Sequence, residues 1–183
     1  MRIAPIQPPY DEQTAAALAK WMLPGSAEPL ALFRILVRHS ELSERLRPLG
    51  AFNLGKSSGL EVRDREIVID RVCALCGCEY EWGVHVAAFG ARAGLTPEKL
   101  TATVSASPDD PVWSDREATL IRFVDALHQR AAIADDLWAS LRHTWTELQI
   151  IELTALAGFY HLISFVANVA QVPLESWAAR FPA

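Results

Sequence analysis

Cys78, Glu81 and His85 fall at i, i+3 and i+7, which lines a thiol, a carboxylate and an imidazole along one face of a helix. Three such groups on one stripe make a reactive site, a metal site or an unusually polar piece of core. A thiol at a helix start lies beside unsatisfied backbone N–H groups and the positive end of the helix dipole. That position favours the thiolate and predicts a lowered pKa for Cys78. His85, two turns on, would support the thiolate or relay a proton. Glu81 acts in the opposite sense on the thiol, since a neighbouring anion raises its pKa and the imidazole's alike. The competing reading is a buried, inert cysteine that only packs.

The surroundings of the stripe, W-G-V-H-V-A-A-F, are apolar. A glutamate and a histidine buried there are general acid/base candidates, and Glu66 can join them across a hairpin. Glu81 and His85 at i, i+4 would otherwise be a surface pair. Cys73 and Cys76 form a C-x-x-C at the end of an apolar helix, where the dipole disfavours a thiolate, so packing is the favoured role. Either could still serve as a resolving thiol for Cys78. A zinc site from Cys78, Glu81, His85 and Glu66 has no common metal-binding spacing. The expectation is therefore no metal and no cofactor. His39, His128, His143 and His161 stand alone in the sequence and read as core or surface residues. Tyr160 and His161, in a long apolar segment, are candidates to line a pocket.

These groups must be positioned by helices. Val62 to Cys76 carries apolar residues at helical spacing and meets Gly77; a second helix starts near Cys78 and runs to Ala93, stopped by Gly94. Before this pair, residues 1–11 read as an extended, Pro-rich arm. A helix from Glu12 to Met22 ended by Pro24-Gly25 follows, then one over Pro29–Leu36. Next comes a helix capped by Ser40, and a short helix and loop from Pro48 to Ser58. After the pair, Thr96-Pro97, Ser114 and Thr146 open further helices, with another beginning at Ala134-Asp135-Asp136. Gly158 marks a break or a close helix contact. No segment alternates with β-branched residues, so the fold class is all-α. The segments near Glu66 and Glu147 echo each other weakly, as in a two-fold repeat of helical hairpins.

The chain has 183 residues, about half of them hydrophobic, which suits a single domain over 1–183. A net charge of −5 argues against a nucleic-acid partner. No long uncharged apolar stretch suggests a membrane span, and the N-terminus has no secretory pattern. Three cysteines, an odd number, fit a reducing, cytoplasmic setting better than a disulfide framework.

The run R-E-I-V-I-D-R-V, then Y-E-W-G-V-H-V-A-A-F-G-A-R-A-G-L-T, resembles the carboxymuconolactone decarboxylase family, which includes alkylhydroperoxidase D-like proteins. L-F-R-I-L-V-R-H before it and Y-H-L-I-S-F-V-A-N-V-A-Q-V-P-L after it are similar too. The resemblance implies an all-helical, alkylhydroperoxidase D-like fold assembled as a homo-oligomer, a trimer or hexamer, with pockets near subunit contacts. In the peroxidase branch a glutamate precedes C-x-x-C, and a histidine follows four residues after the second cysteine. Glu66, Cys78 and His85 carry over, but Glu81 stands where that branch has its second cysteine. The sequence is closer to the peroxidase-related branch with Y-E-W-x-x-H, here Tyr80, Glu81, Trp82 and His85.

Three readings follow. The first is peroxiredoxin-type reduction of small hydroperoxides, an antioxidant oxidoreductase activity. Cys78 is its nucleophile, Glu66 and His85 its relay, and Cys76 or Cys73 its resolving thiol. The second is cofactor-free acid–base chemistry, by a decarboxylase or lyase, on a small carboxylated lactone-type substrate through Glu81 and His85. The third is a non-catalytic helical oligomer whose polar stripe holds two helices in register. Tyr80, Trp82, Tyr160 and His161 are the expected pocket residues.

Overall fold

The computed structural model describes residues 1–22 and 26–182, and among these every regular element is a helix. In chain order they are α1 (Glu12–Ala19), α2 (Ala31–Leu36), α3 (Ser40–Leu54), α4 (Val62–Leu75), α5 (Glu79–Phe89), α6 (Pro97–Ser105), α7 (Asp115–Arg130), α8 (Asp135–Thr144) and α9 (Glu147–Ala170). The expected all-α fold is present. Pro24-Gly25, the expected stop of the first helix, lies outside the described residues.

Helix α4 is the axis of the molecule and packs against α5, α6, α7 and α9. Every residue from Asp64 to Cys73 is buried, so the helix is enclosed on all sides. Ile67, Val68, Ile69 and Val72 have no exposed surface; each contributes about 1.5–3 kcal/mol of apolar burial. A helix enclosed on all sides leaves its charged residues no water, so each needs a partner on a neighbour.

Gly77, at φ +60°, makes the turn from α4 into α5. A side chain there would be strained, and glycine is the residue that adopts this conformation freely. Gly83 has a different reason. The C-terminal tail crosses α5 so closely that a Cβ at this position would lie 2.2 Å from the Ala179 carbonyl oxygen. The Ala179 N–H donates to the Gly83 carbonyl at 3.1 Å, pinning the tail across the helix.

Several boundaries differ from expectation. Helix α3 runs unbroken through Pro48 to Leu54 rather than splitting there. Pro48 cannot donate to the Glu44 carbonyl, but both residues are exposed, so water can take the bond. The cap of α3 is His39, whose Nδ1 accepts from the Leu42 N–H at 3.3 Å, and not Ser40. Helix α5 ends at Phe89, and a turn reaches Gly94 (φ +67°). Helix α9 passes straight through Gly158, where a Cβ would meet nothing within 4 Å. Thr96, Ser114 and Thr146 are N-caps as expected.

The expectation that no stretch is long and apolar enough to span a bilayer needs correction. Helix α9, with 24 residues, passes that test by length and composition. Half of its most apolar window is buried inside the protein, as in the central helix of a bundle. The N-terminal arm is extended and lies on the protein's own surface: the N–H groups of Arg2 and Ile3 donate to the Ala170 carbonyl, and Ile6 to Arg34.

Candidate active site

The α4–α5 hairpin brings Glu66, Glu81 and His85 together, and α9 adds Tyr160. His85 Nδ1 lies 2.7 Å from Glu66 Oε2. On the other side of the ring, Nε2 lies 3.1 Å from the Tyr160 hydroxyl and 3.6 Å from Glu81 Oε1. Glu66 and His85 are 1 % and 3 % exposed. Burial alone would make the ring easier to deprotonate. The charge and hydrogen bond of Glu66, together with those of Glu81, outweigh it and hold the His85 pKa up at about 10. At neutral pH His85 is therefore an imidazolium clamped between two carboxylates. Its Nδ1–H donates to Glu66 and its Nε2–H points at Tyr160 and Glu81. With His85 donating to its oxygen, the Tyr160 hydroxyl keeps its own proton to offer elsewhere. Burial, then the charges of Glu81 and Glu66, push the Tyr160 pKa well up, so the phenol stays protonated.

Two further residues belong to this network. Arg65 Nε donates to Glu66 Oε1 at 3.0 Å, so Glu66 is held from both sides. Asp70, one turn along α4, is 1 % exposed, and neither of its carboxyl oxygens has a hydrogen-bond partner among the described residues. Burial, then the nearby Glu66, drive its pKa well up, so it is the neutral acid. Sequence reasoning missed both. The signal was available in the charged positions of R-D-R-E-I-V-I-D, which an enclosed helix must bury.

A cavity of about 210 Å³ opens beside Glu81, His85 and Tyr160. Its walls are apolar, from Leu32, Phe33, Phe89 and Phe159, and Lys20 and Arg47 also border it. Glu81 Oε2 is buried and has no hydrogen-bond partner among the described residues. Glu81 thus borders the apolar cavity beside His85 and Tyr160 and keeps one carboxylate oxygen without a partner among the described residues.

The cysteines stand elsewhere. None of the three borders this cavity. Cys78 caps the start of α5, as the hairpin reading requires, but it is fully buried. Burial dominates its titration, and the pKa rises to about 11 instead of falling. The helix start does not offset the loss of solvent, which corrects the expected thiolate. Cys73 is also fully buried, 3.8 Å from the Ser164 hydroxyl, and burial raises its pKa well above the usual thiol range. Cys76 is half-buried, and its pKa is raised mainly by burial.

Of the expected pocket residues only Tyr160 borders the cavity. The Tyr80 hydroxyl donates to Glu175 Oε1 at 2.7 Å and accepts from the Leu32 N–H at 3.1 Å, tying the C-terminal tail to α2. Trp82 Nε1 donates to the Thr103 hydroxyl at 3.0 Å and packs on Phe181. His161 faces away from the cavity and meets His128, so neither histidine stands alone as expected.

Residues 40–126, from α3 through most of α7, match the carboxymuconolactone decarboxylase family, and the matched span includes Glu66, Cys78, Glu81 and His85. No curated protein of established function is significantly similar to the chain. Solved structures share the fold. A peroxidase-related protein from Silicibacter sp. TM1040 superposes with a TM-score of 0.81 at 15 % identity, covering 100 % of this chain and 97 % of that one. An Agrobacterium tumefaciens protein of unknown function, provisionally assigned to AhpD antioxidant defence, gives 0.68 at 21 % identity, covering 76 % and 94 %. A variant of the debrominase Bmp8 in complex with 2,3,4-tribromopyrrole gives 0.77 at 12 % identity, covering 96 % and 92 %. The matched span thus contains the α4–α5 hairpin with Glu66, Glu81 and His85, and Tyr160 joins them from α9, outside it.

Proposed function

We propose that this protein is an acid–base enzyme acting on a small, mostly apolar carbonyl compound that carries a carboxylate. The carrying observation is the unpaired Glu81 oxygen beside Tyr160 and His85 at the end of a cavity that no cysteine borders. In this reading Glu81 takes a proton from carbon next to a carbonyl. The Tyr160 hydroxyl, backed by the His85 imidazolium, donates to the oxygen on which charge develops. Returning the proton to a different carbon isomerises the substrate. For a β-keto carboxylate, carbon dioxide leaves, the bonding pair stays as an enolate, and one proton, which Glu81 takes from solvent before the substrate closes the cavity, is delivered to the enolate carbon. Lys20 and Arg47 supply positive charge for the substrate carboxylate. The apolar walls exclude water from the enolate.

The test is proton exchange in D₂O followed by NMR over a panel of small keto acids and carboxylated lactones. The triple variant Cys73→Ser/Cys76→Ser/Cys78→Ser should retain activity, and Glu81→Gln should lose it. Activity that disappears with the thiols would overturn the reading.

Thiol-dependent hydroperoxide reduction is the second reading. The family match and the position of Cys78 at the α5 cap support it; the fully buried sulfur weighs against it. Stopped-flow mixing with a small hydroperoxide separates the two, since only this reading requires a rate that vanishes in Cys78→Ser.

We also infer that the chain forms a homo-oligomer through α9. Leu148, Ile151, Leu162, Phe165 and Val169 are exposed and fall on one seam at heptad spacing. Leu162→Glu/Phe165→Glu should shift the sedimenting species to monomer; an unchanged mass would contradict the inference.

A further inference from the structure

On the opposite side of α9 from the cavity, three helices bring together a second set of chemically active side chains. Cys76 caps the C-terminus of α4, His128 lies in the last turn of α7, and His161 projects from the middle of α9. The thiol sulfur and one ring nitrogen from each histidine all lie within 4.8 Å of one another. None of the three borders the His85 cavity. We propose that Cys76, His128 and His161 form a binding site for a borderline-soft divalent transition metal, zinc first among them.

The ring orientations favour it. His161 Nδ1 lies 2.8 Å from the Ala157 carbonyl, one turn back on α9. Only a protonated Nδ1 can bond a carbonyl, so in the neutral ring the lone pair is on His161 Nε2. This is the backbone anchor that typically fixes a metal-binding imidazole. That Nε2 lies 2.9 Å from His128 Nδ1. An ion at the usual zinc–nitrogen distance of about 2.0–2.1 Å would bridge this gap at an angle of about 90°. Opening the pair by about half an ångström gives the tetrahedral angle. Without an ion, His128 Nδ1–H fills the space by donating to His161.

Access and field agree. Cys76 is only half-buried, and its backbone carbonyl is held by Asn168 Nδ2 at 2.8 Å. Cys76 and His128 both sit at helix C-termini, where the dipoles disfavour a bare thiolate but attract a cation. One thiolate and two imidazoles suit zinc or copper better than calcium or magnesium. His128 is exposed, so water can reach the fourth position. Binding would displace the thiol proton and tie the ends of α4 and α7 to α9.

Cobalt(II) is the probe, because its thiolate charge-transfer and ligand-field bands report sulfur ligation and tetrahedral geometry. Titration of the full chain should give one equivalent bound, with a thiolate band that zinc removes. Cys76→Ser should abolish the band, and His161→Gln or His128→Gln should weaken zinc binding by at least about 100-fold. Cys73→Ser and Cys78→Ser should leave the band intact. Zinc at 100-fold excess over its dissociation constant should raise the thermal midpoint of the wild type by about 5–10 °C and of Cys76→Ser by far less. A band that follows Cys73 or Cys78, or equal zinc affinity in wild type and Cys76→Ser, would overturn the proposal.

Discussion

Four consecutive residues of α4, Arg63 to Glu66, feed two buried charge clusters that are completed in different ways. Arg63 and Asp64 point towards α7. Arg63 donates to Glu117 through Nε at 2.9 Å and Nη2 at 2.6 Å; Lys99 and the Ser114 backbone and hydroxyl also donate to Glu117. Asp64 accepts from Arg116 and from Trp145 Nε1. Arg65 donates to Glu66 and to the Asn53 carbonyl of α3, and Glu66 points towards α5, where it meets His85. There the network ends in an unpaired Glu81 oxygen and a neutral Asp70. A satisfied cluster fixes the packing of helices. A cluster left one partner short beside a cavity is the better candidate for a functional site.

The largest predicted effect separates the clusters by activity. Glu81→Gln should lower turnover by about 10³-fold or more while lowering the unfolding midpoint less than Glu117→Gln does, because Glu66 still holds His85 at Nδ1. Equal loss of both in a chemical-denaturation and rate comparison would erase the distinction. Glu117→Gln should do the reverse, costing about 2–4 kcal/mol of stability by stranding Arg63 and Lys99, with turnover preserved below the melting transition. Tyr160→Phe should come next, at about 10²-fold in kcat with a smaller change in KM.

Their pH signatures should also differ. Glu117 accepts hydrogen bonds from Lys99, Ser114 and Arg63, which together outweigh burial and hold its pKa at about 2. Its contribution to stability is present above the ordinary value of 4.5 and is lost as pH falls towards 2. His85 is raised to about 10, so its contribution is complete below 6.5 and is lost as pH rises through 10. Denaturation measured across pH should show an acid limb that Glu117→Gln flattens and an alkaline limb that His85→Gln flattens. The smallest effect belongs to the thiol: Cys78→Ser should change turnover by less than about twofold.

The helical class, the hairpin at Gly77 and the meeting of Glu66 with His85 were legible in the sequence, because apolar period, glycine and helix-face spacing are local signals. The caps at Thr96, Ser114 and Thr146 were legible for the same reason. What escaped was set by distant chain. Cys78 has a thiolate's position by sequence, but α4 and α9 bury it, and burial outweighs a helix end. Tyr80 and Trp82 look like pocket residues beside Glu81, yet successive residues of a helix face different ways, and these two hold the tail and α6. His128 and His161 are 33 residues apart and meet only through packing of α7 on α9. Arg65 and Asp70 carry no local mark of burial, and only the packing around α4 shows them enclosed.

The account rests on a positively charged His85 held between Glu66 and Glu81 with Tyr160 at its outer nitrogen. Nitrogen-15 NMR of selectively labelled histidine, titrated with pH, reads that state directly. The prediction is a doubly protonated His85 ring through about pH 8, titrating near pH 10, with the pKa falling in Glu81→Gln. A His85 ring that is neutral at about pH 8, or that titrates near 6.5 in both proteins, would contradict it.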